Sequence, residues 1–264
     1  MKNKNLLKKE VDIYNLAVER HVYWAKRKGL LKKLINRLLG EIDSLDKMDL
    51  TKIKKYLKEK ASKVKAVWVL SGTGTFDLPL TNVSGDQIYK GKAWAYYSDQ
   101  DRIKLAIGLI KYLSQAVAND QNISAVDAIK EYGPYLVYNG VGEQQIAIRR
   151  AIESGKLSFP KSKLYIPKGK IIKTLDQVKN LGFPEEKYQL GDILVIVTHA
   201  AHYPRVLRML NKYKKVSSNL SIAIYPARFK TRKGFYEFAF NEIMGVLGYI
   251  ASGEAAVDPC KYLR

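Results

Sequence analysis

Histidine is scarce in this chain, with three among 264 residues, yet His199 and His202 both fall in the stretch LVIVTHAAHYPRVLRML at 194–210. An imidazole can donate, accept or shuttle a proton near neutral pH, so a pair at one junction invites a chemical reading. Thr198 closes the apolar run ahead of them. Pro204 suits the first turn of a helix, where its missing N–H costs nothing, and Arg205 falls in the same turn. A cation there is opposed by the helix macrodipole, and residues that break a local rule are enriched at functional sites. His202 and Arg205 are three apart and share one face if His202 caps the helix. The chemistry this predicts is an anion held by Arg205 and the helix N-terminus, with His202 as hydrogen-bond donor or general acid/base. A metal is the weaker reading: beyond the two histidines a third ligand would have to come from Glu143, Asp77 or another carboxylate, and no zinc signature is present. No G-x-S-x-G elbow supports a serine hydrolase.

Two further polar clusters belong with this one. VWVLSGTGTF puts Ser71, Gly72, Thr73, Gly74 and Thr75 directly after an apolar run. Glycines let a backbone approach a ligand, and hydroxyls with free N–H groups suit phosphate or carboxylate oxygens. The stretch is neither the dinucleotide fingerprint nor a P-loop. LVYNGVGEQQIAIRRAI puts Asn139, Gly140, Gly142, Glu143 and Gln144 after a second run, at the start of a helix. A carboxylate at Glu143 is also what a helix N-terminus favours on its own.

The elements that must position these clusters are legible from residue 66 onward. Short β-branched or aromatic runs lie at 66–70, 135–139, 163–166, 193–198 and 221–225. Helical patterns lie between and after them, at 99–118, 143–154, 173–181, 203–213 and 236–251. Strands alternating with helices predict βαβ units, and hence an α/β, Rossmann-like three-layer domain with a mostly parallel sheet. The run at 193–198 is apolar at almost every position, as a central strand covered on both faces requires. In such a sheet ligands bind beyond the carboxyl ends of the strands, and all three polar clusters follow a strand. The long connection from Ser71 to Ser98 reads as a functional loop or a family-specific excursion.

The first 60 residues read as helical. Leu7, Val11, Tyr14, Val18, Val22 and Ala25 recur at spacings of three and four, with His21 beside the stripe as a packing residue. A short helix is expected at 51–61, capped by Asp49 or Thr51. The division expected is a basic helical extension at 1–62, packed on an α/β domain at 63–264. Residues 1–66 carry 19 Lys+Arg against 8 Asp+Glu, and residues 67–264 carry 27 against 17, which places the excess of a +21 chain disproportionately at the front. With 35 Lys to 11 Arg the field is diffuse, whereas arginine forks are the usual choice for bidentate phosphate contacts. A solvated lysine-rich surface is the simpler reading. The alternative is a protein that binds nucleic acid or an anionic surface through its lysine-rich N-terminal helices, although no nucleic-acid-binding motif is present. No apolar run is long enough to span a bilayer, no signal peptide is read, and a cytoplasmic location is expected. The single Cys260 excludes a disulfide framework and reads as an incidental thiol. The oligomeric state leaves no mark on the sequence.

Taken in chain order, the strand followed by SG, then DRIKLAIGLIKYL, the strand followed by NGVGEQQ, IIKTLDQVKN, VIVTHAAHYPRVLRML, IAIYPARF and a final helix resemble the YdcF-like family, a family of unassigned function. The resemblance covers residues 64–252. Its most specific part is a T-x-x-x-H-x-x-R pattern, carried by Thr198, His202 and Arg205. The family's arginine in the helix after the first loop matches Arg102, and its threonine ahead of a later helix matches Thr174, with Gln177 where Asn is usual. His199 stands in place of a small residue, LVYNG in place of SGG, and Ile172 and Lys173 where polar or acidic residues are common. The resemblance implies a Rossmann-like domain with a polar site for a nucleotide-like or S-adenosylmethionine-like ligand, and together with the residues around Arg205 the expected ligand is small and anionic, phosphorylated, nucleotide-like or S-adenosylmethionine-like. It also implies a link to envelope and peptidoglycan metabolism, although envelope members carry membrane helices that this chain lacks. Catalysis is one reading of that site, with His202 and Arg205 as its acting residues.

Overall fold

The computed structural model describes residues 29–71, 93–119, 123–140, 142–171, 173–182, 189–213, 220–228 and 232–262. The stripe from Leu7 to Ala25, His21, and Gly72 to Thr75 with most of the loop that follows lie outside these residues. The chain divides into two compact units: Met48–His199 with Tyr213–Ala227 and Lys261–Arg264, and Met1–Lys47 with Ala200–Lys212 and Arg228–Cys260. Residues 1–62 thus contribute to both units.

The first unit is built on five strands, β1 (Val64–Val69), β2 (Tyr135–Tyr138), β3 (Leu164–Tyr165), β4 (Asp192–Val197) and β5 (Leu220–Ile224). They form one sheet in the order β3-β2-β1-β4-β5, and every pairing is parallel. All five expected strands are present, within a residue or two of the expected bounds. The apolar run at 193–198 is indeed a central strand: β4 lies between β1 and β5, and all six of its residues are buried. Val67 and Val69 point to one face, and Ala66 and Trp68 to the other. All four are 2 % exposed or less, so both faces of the sheet are covered, as a three-layer α/β architecture requires.

Helices α1 (Leu30–Asp46), α2 (Leu50–Glu59), α3 (Ala93–Ala118), α4 (Ala125–Tyr132), α5 (Gly142–Glu153), α6 (Thr174–Lys179), α7 (Tyr203–Lys212) and α8 (Arg232–Ala251) complete the described elements. On α3, Ile103, Ala106, Leu109, Ile110 and Leu113 fall at helical spacing and pack with Val67, Val69, Leu136, Tyr138, Val195 and Val197 in one core. Ile53 and Leu57 of α2 and Ile148 and Ile152 of α5 join that core. Each fully buried large aliphatic residue contributes roughly 1.5–3 kcal/mol of transfer free energy. The cap expected ahead of α2 is Asp49, whose carboxylate accepts from the backbone N–H groups of Thr51 and Lys52 at 2.9 and 3.4 Å. Helix α4 was not expected. Its signature was present in the sequence, because Ser124 caps it by accepting from the Asp127 N–H at 3.1 Å. The connection read as running to Ser98 is shorter, since α3 is already helical at Ala93.

In the second unit α1 packs with α7 and α8 around Leu38, Ile42, Ala239, Ile243, Val246 and Leu247. Arg208 lies at the centre, fully buried. It donates to both carboxylate oxygens of Glu41 at 2.8 and 2.9 Å, and to the carbonyls of Pro204 and Val257 at 3.0 and 2.9 Å. A buried guanidinium survives in an apolar core when its donors are met in this way. Among the described residues no helix is long and apolar enough to cross a membrane.

Candidate functional site

The connection from β1 leads to β2 on one side, while β4 lies on the other side of β1. The winding of the sheet reverses between β1 and β4, and loops leaving such a switch point diverge and open a crevice beyond the carboxyl ends of the strands. Ser71 follows β1 there, Asn139 and Gly140 follow β2, and Thr198 and His199 follow β4. Ser71, Asn139 and Thr198 are each 1 % exposed or less. Gly140 is closely packed where it stands: a Cβ on it would lie 2.9 Å from the Cβ of Gln144.

Arg102 enters the same region from α3. It is 3 % exposed and pairs through Nη2 with the Asp99 carboxylate one turn earlier. Asp99 also accepts from the Tyr138 hydroxyl at 3.0 Å, which ties the pair to the last residue of β2. Nε and Nη1 of Arg102 are buried with no acceptor among the described residues. A buried donor left unmet costs about 1–3 kcal/mol, and more when it is charged. These are the strongest unmet donors in the unit, and an oxygen-rich ligand is what they suit.

Across the switch point, His199 is held by the β5 side of the sheet. Its backbone bridges in parallel to Ala227, and its Nδ1 donates to the Ala227 carbonyl at 3.2 Å. A carbonyl can only accept, so Nδ1 carries the proton and Nε2 is the basic nitrogen. Burial, followed by the positive charge of Arg102, pushes the imidazole down to about 4, so His199 is neutral at pH 7.

A hydrogen-bonded chain fixes the other flank. Trp68 Nε1 donates to Asn139 Oδ1 at 2.8 Å, Asn139 Nδ2 donates to the Gln177 carbonyl at 2.6 Å, and Gln177 Nε2 donates to the Ser71 carbonyl and Oγ at 3.1 and 2.7 Å. Thr174 is buried one turn before Gln177 on α6. Of the residues singled out from the sequence, Ser71, Arg102, Asn139, Gly140, Thr174, Thr198 and His199 therefore fall in this one unit. Gly72, Thr73, Gly74 and the side chain of Glu143 lie outside what is described. Sequence reasoning missed Asp99 and Tyr138. The three-residue spacing from Asp99 to Arg102 was a usable signal for the first, but nothing local could pair Tyr138 with a helix 39 residues away.

His202 and Arg205 belong to the other unit. His202 ends a 3-10 turn at Ala200–His202, immediately before α7, and so occupies the cap position expected of it. Arg205 Nη2 donates to His202 Nε2 at 2.9 Å, confirming the shared face, and to Glu242 on α8 at 2.9 Å. Glu242, Gly245 and Tyr249 are spaced along one face of α8, and the Arg205 guanidinium sits 5.8 Å from the Tyr249 ring. The anion that the sequence called for at Arg205 is thus supplied from within the chain, by a carboxylate 6 % exposed. This accounts for a cation in the first turn of α7 without a ligand. Among the described residues no three His, Cys, Asp or Glu side chains gather as metal ligands. No known protein family, no curated protein and no solved structure matches this chain.

Proposed function

We propose that this chain is a YdcF-like α/β protein that binds a small anionic ligand, phosphorylated or nucleotide-like, at the crevice between the carboxyl ends of β1 and β4. The observation that carries the reading is Arg102, a guanidinium 3 % exposed whose Nε and Nη1 have no acceptor among the described residues, in the unit that carries the topological switch point and near enough to His199 for its charge to lower that imidazole's pKa. Arg102 orients the anion, and Asp99 and Tyr138 hold Arg102 in place. The kinship rests on the chain order of the quoted motifs, with Thr198, His202 and Arg205 as its most specific part. Within the proposal His202 and Arg205 are structural residues at the start of α7, where Arg205 donates to His202 and to Glu242.

Calorimetric titration with inorganic phosphate and pyrophosphate tests this. Arg102→Lys keeps the charge beside Asp99 but loses the planar set of donors, and it should weaken binding by roughly 10- to 100-fold, the loss of about 1.4–2.8 kcal/mol. Arg205→Lys should change the affinity little. If Arg102→Lys binds phosphate as the parent does, the anion sits elsewhere and the reading fails.

A further inference from the structure

The flank of the crevice formed by Gln177 and Ser71 restricts what the ligand can be. Gln177 is 1 % exposed. Its amide orientation is determined, because the Ser71 carbonyl can only accept and lies 3.1 Å from one end of the amide. That end is Nε2, and Oε1 points away from Ser71. Nε2 also donates to Ser71 Oγ at 2.7 Å, so the Ser71 hydroxyl spends a lone pair on Gln177 and keeps its own proton to donate. Oε1 is buried with no donor among the described residues. A donor, Ser71 O–H, and an acceptor, Gln177 Oε1, therefore stand one amide group apart. Asn139 and Trp68 clamp the backbone beneath them.

Such a pair is complementary to one functional group in particular. A carboxamide presents a carbonyl oxygen and an N–H side by side. A carboxylate has no donor for Oε1, and an ester has none either. Buried polar groups that a ligand leaves unmet are the basis of strong discrimination, stronger than differences of shape. On the reading of Arg102 as an anion site, on which this step rests, we infer that the natural ligand is an anion carrying a carboxamide-like edge. Its carbonyl oxygen accepts from Ser71 Oγ–H, its N–H donates to Gln177 Oε1, and its anionic end is oriented by Arg102. Gln177 is on this account the residue that determines specificity.

A matched pair of probes tests the inference. Succinamate and monomethyl succinate share a carboxylate and a carbonyl at the same spacing and differ in a primary amide, whose syn N–H lies beside its carbonyl oxygen, against an ester; inorganic sulfate, which carries no proton at neutral pH, serves as an anion with neither feature. Titrations followed through the Trp68 indole N–H resonance should show succinamate binding at least about 10-fold more tightly than monomethyl succinate. The preference should shrink towards unity in Gln177→Met and fall in Ser71→Ala, which removes the hydroxyl but leaves the carbonyl that anchors Gln177. Should Gln177→Met fail to fold, Ser71→Ala carries the test alone. Equal affinity for amide and ester, or sulfate binding without either, overturns the inference and leaves the anion site standing. Failure of all three probes to perturb the parent protein overturns both.

Discussion

His199 and Arg205 show how differently two polar residues six positions apart can be used. A histidine whose folded form titrates near 4 instead of 6.5 refuses a proton that the unfolded chain accepts. Between those values the unfolded state binds more protons, so stability falls as the pH drops from about 6.5 towards about 4. His199→Gln removes that proton, and the parent should lose stability relative to the variant across this window in urea melts. A constant difference would show that the imidazole is not held neutral. Arg205 has the opposite character, a cation made structural by Glu242. Its side chain is 13 % exposed and that of Glu242 is 7 %. Glu242→Gln should therefore cost roughly 1–3 kcal/mol in the same assay, less than the about 3–5 kcal/mol of a fully buried pair. At this scale the sequence was least legible. The oddity of a cation at the start of α7 was plain, but its partner lies 37 residues downstream, and no local pattern announces such a pairing. Arg102 was reached only through the family resemblance, and its unmet donors are a property of packing. Cys260, read as incidental, agrees with that role: burial pushes its thiol up to about 12, so it is protonated and poorly nucleophilic at neutral pH.

At the scale of elements the sequence spoke clearly wherever burial imposed a period. The unbroken apolar run of β4, the three-and-four spacing on α3 and the Asp49 cap were each sufficient to place an element. Shortness hid one element: helix α4 has eight residues and offers too short a period to stand out. Helix α2 tests whether the lysine-rich front of the chain is integral to the fold. Four of its ten residues are lysine, yet Ile53 and Leu57 sit in the core of the sheet unit, and Leu57 has no exposure. Leu57→Ala should cost about 2–5 kcal/mol by leaving a cavity under α2, measured by chemical denaturation. A cost near zero would mean that α2 is only laid on the surface.

For the whole molecule the question is where its positive charge acts. A net +21 dominated by lysine attracts any polyanion without specificity, and such binding weakens steeply with salt. The crevice is different in kind. Asp99 balances Arg102 and His199 is neutral, so on the proposed function an anion is held there by aimed, desolvated N–H groups and not by the field of the surface. The parallel sheet places that crevice, because β1 and β4 lie side by side while their connections depart in opposite directions. Locating the anion directly separates the two accounts. Crystals soaked in tungstate, a heavy analogue of phosphate, should give an anomalous peak within hydrogen-bond distance of Arg102 Nε or Nη1 on the carboxyl side of β1. Peaks confined to surface lysines, or to Arg205, would contradict the account.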